Sequence, residues 1–381
     1  MPYSPRGPRH VTKNTDLRIA VFPGDGIGQE IIPPAMMLLE RLSSSLGGFT
    51  FSFDVRRDCG AEYYKESGED CSKDAFEAGR RADAILLGAI GLPSIRLPSG
   101  TEIAPHLRMR EEFGLYAGVR PVKAFANTPR RLADPRAAAI DLIILRESTE
   151  GLFYTQGRGE VIGDNEARET LRITRPTTEK LCDTAFRIAR RRKAKRGHAS
   201  VTCVDKANVF RAFAFFRKIF DERARNFPDI EARHNYVDAQ ALDLVRRPWD
   251  FDVLVMENMF GDILSDLGGG LVGGMGMAPC GELGDEHGLF QPAHGSAPDI
   301  AGQDKANPTA TFLSAAMMLD WLSERTGISN LAIAAELLDT AVSQSFADGT
   351  LRPMEFGGDQ GLTAATRAVT AALDARLKGK A

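Results

Sequence analysis

The chain has no run of apolar residues approaching the ~20 that a membrane-crossing helix needs, so an α-helical membrane protein is excluded and a soluble one is expected. Cysteine is scarce. Cys59, Cys71, Cys182, Cys203 and Cys280 are odd in number and never stand in C-x-x-C spacing. That speaks against a disulfide framework and against a zinc site, and it fits a reducing cytoplasm. Charge of one sign is missing too: a net charge of -3 gives no general attraction to nucleic acid or to an anionic membrane. The one basic tract, Arg190-Arg191-Arg192-Lys193-Ala194-Lys195-Arg196, carries no interleaved aromatics of the kind a nucleic-acid platform uses. It follows a helical stretch over 178–189 and reads as a cationic last turn that complements the helix dipole. Residues 1–16 hold three prolines and basic residues but no apolar core of a secretory signal, so they read as a flexible leader. No internal repeat or low-complexity block is visible.

What is present is an ordinary globular composition, 43% hydrophobic and 26% charged, in 381 residues, which is too long for one ordinary core. Short apolar runs at 17–22, 84–88, 140–145, 199–204 and 252–256 alternate with helical patterns over 30–42, near 81, over 178–189, 310–324 and 362–377. Four of the five runs end in polar residues: Gly24-Asp25-Gly26, Arg146-Glu147, Asp205-Lys206 and Glu257-Asn258. That recurrence predicts an open, largely parallel α/β sheet with its ligands at the carboxyl edge of the strands. The glycines at 268–270, 273, 274 and 276 predict a passage between lobes, followed by a loop-rich segment through Asn307-Pro308.

Four constellations carry candidate chemistry. Asp262 and Asp266, four apart in Asn258-Met259-Phe260-Gly261-Asp262-Ile263-Leu264-Ser265-Asp266-Leu267, share one helix face. Their repulsion is relieved by a hard cation such as Mg²⁺ or Mn²⁺, or they are acids at a solvated helix start. Lys206, in Asp205-Lys206-Ala207-Asn208 at a strand end, is a proton acceptor if partly buried, or a surface lysine. Arg110, Arg120 and Arg146 suit an acid with two or three carboxylates, among many arginines. His294-Gly295-Ser296-Ala297-Pro298-Asp299 is a loop whose amides could hold phosphate and whose acid could accept from ribose hydroxyls, or simply a loop. Gly24-Asp25-Gly26-Ile27-Gly28-Gln29 lacks the third glycine of a dinucleotide fingerprint and reads better as a tight turn before a helix.

Taken in order, four strings resemble the β-decarboxylating dehydrogenase family of 3-isopropylmalate, isocitrate, homoisocitrate, tartrate and D-malate dehydrogenases. They are Phe22-Pro23-Gly24-Asp25-Gly26-Ile27-Gly28, Val204-Asp205-Lys206-Ala207-Asn208-Val209, the acidic string from Asn258 to Leu267, and His294-Gly295-Ser296-Ala297-Pro298-Asp299-Ile300-Ala301-Gly302. The resemblance runs from about residue 17 into the last helix. It implies an α/β, two-domain isopropylmalate-dehydrogenase-like fold: a discontinuous nucleotide domain over 17–118 and 271–381, and an inserted substrate and dimerisation domain over 119–270. It implies a homodimer with shared active sites. Arg110, Arg120 and Arg146 would clamp the malate carboxylates, with His106, Leu107 and Val209 also facing the substrate. Asp262 and Asp266 would bind Mg²⁺ or Mn²⁺ with Asp238 of a second copy, and Lys206, also of that copy, would take part in removing the hydroxyl proton. His294, Gly295, Ser296, Ala297, Asp299, Ile300, Asn307 and Asn208 would hold the cofactor. Asp299-Ile300 stands where NADP-using relatives carry lysine and tyrosine, which implies NAD.

Three departures qualify the transfer. Phe153 stands where most relatives carry the tyrosine that protonates the product enol: either the adjacent Tyr154 takes that role, or decarboxylation is slow, or the reaction stops at a keto acid. Gln291 replaces the usual glutamate before Pro-x-His-Gly. His106 and Arg108 lie in a specificity segment that lacks the usual paired leucines and suggest a polar substituent. The expected reaction is NAD-dependent, metal-assisted oxidative decarboxylation of a malate-core 2-hydroxy acid, narrowly 3-isopropylmalate in type. The alternatives are a tartrate, D-malate or isocitrate type, and a non-catalytic regulatory subunit.

Overall fold

The computed structural model describes residues 14–379. Residues 1–13 of the expected leader lie outside them. Its last residues are tied down, because Thr15 and Asp16 open the first strand opposite Phe49 and Thr50. Contacts divide the chain into two compact units, Met1–Pro105 with Gly288–Ala381, and His106–His287. No helix among the described residues is long and apolar enough to cross a membrane.

In chain order the first unit opens with β1 (Thr15–Gly24), α1 (Gly28–Leu46), β2 (Phe49–Val55), α2 (Ala61–Ser67), α3 (Lys73–Arg81) and β3 (Ala84–Ala89). The second unit follows with α4 (Pro105–Glu112), β4 (Ala117–Lys123), β5 (Asp141–Glu147), β6 (Glu160–Ile162), β7 (Glu166–Arg168), α5 (Arg175–Arg196), β8 (Ser200–Asp205), α6 (Arg211–Ala224), β9 (Glu231–Tyr236), α7 (Val237–Arg246), β10 (Val253–Met256), α8 (Asn258–Leu271) and β11 (Pro279–Leu283). The chain then returns to the first unit with β12 (Gly288–Pro292), α9 (Thr309–Thr326), α10 (Ser329–Ala347) and α11 (Leu362–Lys378).

In the first unit the order β2-β1-β3-β12 is parallel throughout. In the second it is β11-β4-β5-β10-β8-β9, parallel from β5 to β9 and antiparallel where β4 meets β5 and β11. The α/β class and the mainly parallel sheet are therefore as expected. The cuts between units fall at Pro105 and His287 because β4 and β11 pair within the second unit, whereas the glycine-rich passage was expected to end a lobe near 270. Gly268, Gly269 and Gly270 are instead the last turn of α8. Gly268 is used for closeness: a β-carbon there would come within 2.7 Å of Val122.

The basic tract is the end of α5 and closes on a left-handed Gly197. Its side chains are taken up by acids of their own unit: Arg190 by Asp229, Arg192 by Asp252 and Asp141, and Arg196 by Asp141. All five cysteines are buried, and none is joined in a disulfide.

Candidate active site

The second unit builds its polar centre on one row of its sheet. Antiparallel register sets Glu282 of β11 and Arg146 of β5 on either side of Gly118 of β4. Arg120 lies two residues along β4 and so shares that face. Gly118 keeps the row open, since a β-carbon there would meet Ser148 Oγ at 2.7 Å and Glu282 Oε2 at 2.9 Å. Arg110 comes in from α4. All three arginines are buried, with Arg146 only 2% exposed, and burying a guanidinium is costly unless it is paired.

The pairing is explicit. Glu282, fully buried, accepts from Arg110 Nη2 at 2.9 Å and from Arg120 Nη2 at 3.4 Å through the same oxygen, Oε1. Arg146 donates from Nε to Asn258 Oδ1 at 2.8 Å and from Nη1 to Asp262. Burial opposes the Glu282 charge, yet Arg110, Arg120 and Arg146 outweigh it and hold the carboxyl at about 2. Burial and then Arg110 push the His106 imidazole down to about 3, so it stays neutral beside the cluster, and its Nδ1 is buried without a partner. The Nε donors of Arg110 and Arg120 are also buried and unpartnered, which leaves the cluster with donors to offer an acid.

Helix α8 carries the acidic pair across this same face. Its start is fixed by Glu257, whose side chain caps Met259 N at 3.1 Å and Phe260 N at 3.3 Å and also accepts from Leu152 N at 3.0 Å. Gly261 allows the approach, because a β-carbon there would stand 2.6 Å from Arg146 Cβ. Asp262 is half-exposed and Asp266 exposed. Partial burial, with the like charge of Asp262 added, raises the Asp266 carboxyl despite the pull of Arg120.

A cleft of about 100 Å³ opens beside Arg110. Leu107 and Phe153 form its apolar wall, and Ser148, Thr149, Tyr154 and Arg158 its polar one. Phe153 lies 4.9 Å from the Arg146 guanidinium, face on, whereas the Tyr154 ring carries Arg172 at 3.6 Å and Arg158 at 4.5 Å.

Lys206 and Asp238 are brought together elsewhere, as an ion pair linking the end of β8 to the first turn of α7. Lys206 holds the Asp238 carboxyl below its ordinary range. Asn208 and Val209 are exposed in the turn that follows. Among the described residues no three acids, histidines or cysteines of one chain gather around a point that could hold a metal. Asp262 and Asp266 nevertheless offer what Mg²⁺ or Mn²⁺ takes, two carboxylates on one helix face whose mutual repulsion a cation relieves.

In the first unit the loop after β12 is anchored by Ser296, whose carbonyl accepts from Ile27 N at 2.8 Å and whose hydroxyl donates to the Gly91 carbonyl. The Gly24–Gly28 turn is built against it: Gly26 sits at φ +52, and a β-carbon there would lie 2.2 Å from the Ser296 carbonyl oxygen. Asp25 is buried and ties the turn down by accepting from Ala61 N, Glu62 N and Gly91 N at 2.8 to 2.9 Å. The tight-turn reading of that string accounts for these contacts. Ala297 holds a left-handed φ of +38, Asp299 is exposed, and Ile300 packs towards Ile27 and Ile31. His294 is pushed towards its neutral form by burial, and its Nε2 is buried without a partner. Asn307 donates to Glu355 at 2.9 Å. An orphaned imidazole nitrogen beside an exposed carboxylate and open backbone fits a nucleotide's polar edge.

Sequence reasoning missed Glu282, Glu257 and Glu355. Glu257 stood in a noted strand end, whereas Glu282 lay in a segment read as loop, and nothing marked Glu355.

Comparison with known proteins gives a consistent result. The family model for isocitrate/isopropylmalate dehydrogenase matches residues 18–373. The 3-isopropylmalate dehydrogenase of Aquifex aeolicus is 39% identical over 88% of this chain and 90% of its own length. The 3-isopropylmalate/3-methylmalate dehydrogenase of Methanocaldococcus jannaschii is 39% identical over 90% of this chain and 94% of its own. The crystal structure of isocitrate dehydrogenase from Methylococcus capsulatus superposes with a TM-score of 0.78 at 30% identity, covering 94% of this chain and 99% of that one.

Proposed function

Since the chain belongs to the isocitrate/isopropylmalate dehydrogenase family, and is an oxidatively decarboxylating dehydrogenase, we propose that it uses NAD and Mg²⁺ or Mn²⁺ on a malate-core 2-hydroxy acid of the 3-isopropylmalate type. The observation that carries this reading is the buried Arg110, Arg120 and Arg146 row with the acidic helix laid across it.

The arginines bind and orient the two carboxylates, each guanidinium offering a fork that matches a carboxylate edge. Leu107 and Phe153 give an alkyl substituent its apolar wall. Asp262, Asp266 and the Asp238 of a second copy would hold the divalent cation, which supplies positive charge beside the oxygen that becomes negative in both chemical steps. Lys206 of that copy takes part in removing the hydroxyl proton, and the 294–307 loop with Asp299 and Asn208 would hold NAD, which would accept the hydride from the same carbon. The bond between the adjacent carbon and its own carboxylate, β to the new ketone, then breaks, carbon dioxide leaves, and the electron pair remains on the substrate as an enolate. Tyr154 protonates that carbon, in place of the aromatic hydroxyl that Phe153 lacks.

A homodimer is supported by three features. Asp238 pairs with Lys206, and among the described residues it does not gather with Asp262 and Asp266 of its own chain. Leu242, Val245 and Ile263 are exposed apolar residues on α7 and α8, and Val209 and Phe210 are exposed beside Lys206. The exposed β6–β7 hairpin carries Val161 and Ile162, and a lone two-stranded hairpin is marginal in water. The buried, unpartnered His106 Nδ1 favours one second reading, a hydroxyl-bearing substrate of the tartrate or D-malate type. Incubation of the pure protein with NAD, Mn²⁺ and a panel of malate-core acids decides the matter. NADH and carbon dioxide in equal amounts with one of them is expected, and no NADH with any would refute the proposal.

A further inference from the structure

We propose that Glu282 is a specificity-determining residue that fits the site to a dianionic acid and turns away a trianionic one. This rests on the dehydrogenase reading and goes further, to the charge class of the substrate.

The inference starts from position. Glu282 projects from β11 into the arginine row with no exposure to solvent, across from Gly118, whose missing β-carbon leaves it room. Its Oε1 takes one donor from Arg110 and one from Arg120. Two of the three arginines thus share an internal carboxylate before any substrate arrives, while the third is held by Asn258 and Asp262.

Counting formal charges around the row then gives a definite result. Arg110, Arg120 and Arg146 contribute three positive charges; Glu282, Asp262 and Asp266 contribute three negative ones. Arg120 feels all three of those acids. His106 is neutral, and Lys206 and Asp238 cancel as a pair. A divalent cation leaves an excess of two, which two carboxylates neutralise. Without Glu282 the excess would be three, the match for a tricarboxylate. Around the buried arginines and Glu282 an excess of charge that no ligand neutralises is penalised, since little water reaches those groups to compensate. Glu282 also leaves the Nε of Arg110 and Arg120 unpartnered, so the remaining donors are those a dicarboxylate must satisfy.

The test compares full-length wild type, Glu282→Gln and Glu282→Asp. Calorimetric binding of malate and of isocitrate to the NAD-free protein with Mn²⁺ gives one readout, and the kcat/KM ratio for the two acids with NAD and Mn²⁺ the other. The wild type is expected to prefer the dicarboxylate in both. Glu282→Gln is expected to move the ratio towards the tricarboxylate by roughly tenfold or more, with Glu282→Asp retaining the wild-type order. A wild type that binds isocitrate as tightly as malate, or a folded Glu282→Gln with an unchanged ratio, overturns the assignment while leaving the dehydrogenase reading intact. A wild type that binds and oxidises neither acid nor any other malate-core acid overturns both.

Discussion

Gly261→Ala sets two effects of opposite sign against each other. In an isolated helix the change would stabilise by up to about 1 kcal/mol, because alanine loses less backbone entropy than glycine. In α8 the new β-carbon would stand 2.6 Å from Arg146 Cβ, 2.7 Å from Cγ and 3.0 Å from Cα. Carbon atoms rest at about 3.5–4.0 Å, so the helix or the strand must give by about 1 Å. Neither is free to do so, as Arg146 is hydrogen-bonded to Asn258 and Asp262 on the same helix and its Cα is fixed in the β5 ladder. Overpacking of this kind costs about 1–3 kcal/mol, and the backbone contact places it at the upper end. The net loss is therefore about 1–2 kcal/mol, or roughly 2–8 °C in Tm for a unit of this size. Because Asp262 moves with the helix, kcat/KM should fall by roughly 10²-fold, the usual cost of a 1 Å misplacement. Thermal denaturation and steady-state kinetics read both quantities. Gly270→Ala is the control, in the same helix with no atom within 4 Å of the new carbon, and should be neutral or slightly stabilising. A Gly261→Ala protein with unchanged Tm and activity would refute the claim that α8 is pressed onto the arginine row.

Further expectations follow from the same geometry. Arg146→Lys keeps the charge but loses the fork that joins Asn258 to Asp262, and should lower kcat/KM by roughly 10²-fold with less effect on folding. Glu282 is held at about 2 against an ordinary 4.5, so its stabilising charge is fully present above pH 4.5 and is lost as pH falls towards 2, on the order of 3 kcal/mol in total. Urea midpoints taken across that window should fall less steeply in Glu282→Gln than in wild type, and parallel curves would contradict the assignment. His106 acts over a higher range: the unfolded chain takes up a proton near 6.5 that the native imidazole refuses until about 3, so His106→Asn should flatten the stability curve between those values. Asp299→Asn should relax the preference for NAD over NADP, measured as the ratio of kcat/KM values, and an unchanged ratio would remove Asp299 from the ribose contact.

Much of the fold was legible because buried parallel strands are continuous apolar runs that end in polar residues. β5, β8 and β10 were all readable that way, and β3 by its apolar run alone. The strands that went unread lack that signature: β9 is an exposed Glu-Ala-Arg-His-Asn-Tyr edge, β4 carries Arg120 and Pro121, and β2 alternates phenylalanine with polar residues. The site divides similarly. Asp262 and Asp266 show themselves by helical spacing, and the arginines by the motifs around them. Glu282 is invisible, because its partners are Arg110 and Arg120, more than 160 residues earlier in the chain, and only sheet register joins them. Local spacing likewise says nothing of Glu355 against Asn307.

The account turns on two copies of the chain completing one metal-dependent site, Asp262 and Asp266 from one and Asp238 from the other. Subunit complementation tests this directly. Asp262→Asn and Asp238→Asn should each be inactive alone, yet unfolding them together and refolding the mixture should restore about a quarter of wild-type activity, since half of the dimers are mixed and each mixed dimer holds one intact site. Activity that stays absent in well-folded mixed dimers would place Asp238 inside the same chain's site, and an active Asp238→Asn protein on its own would place it outside the site; either result contradicts the account.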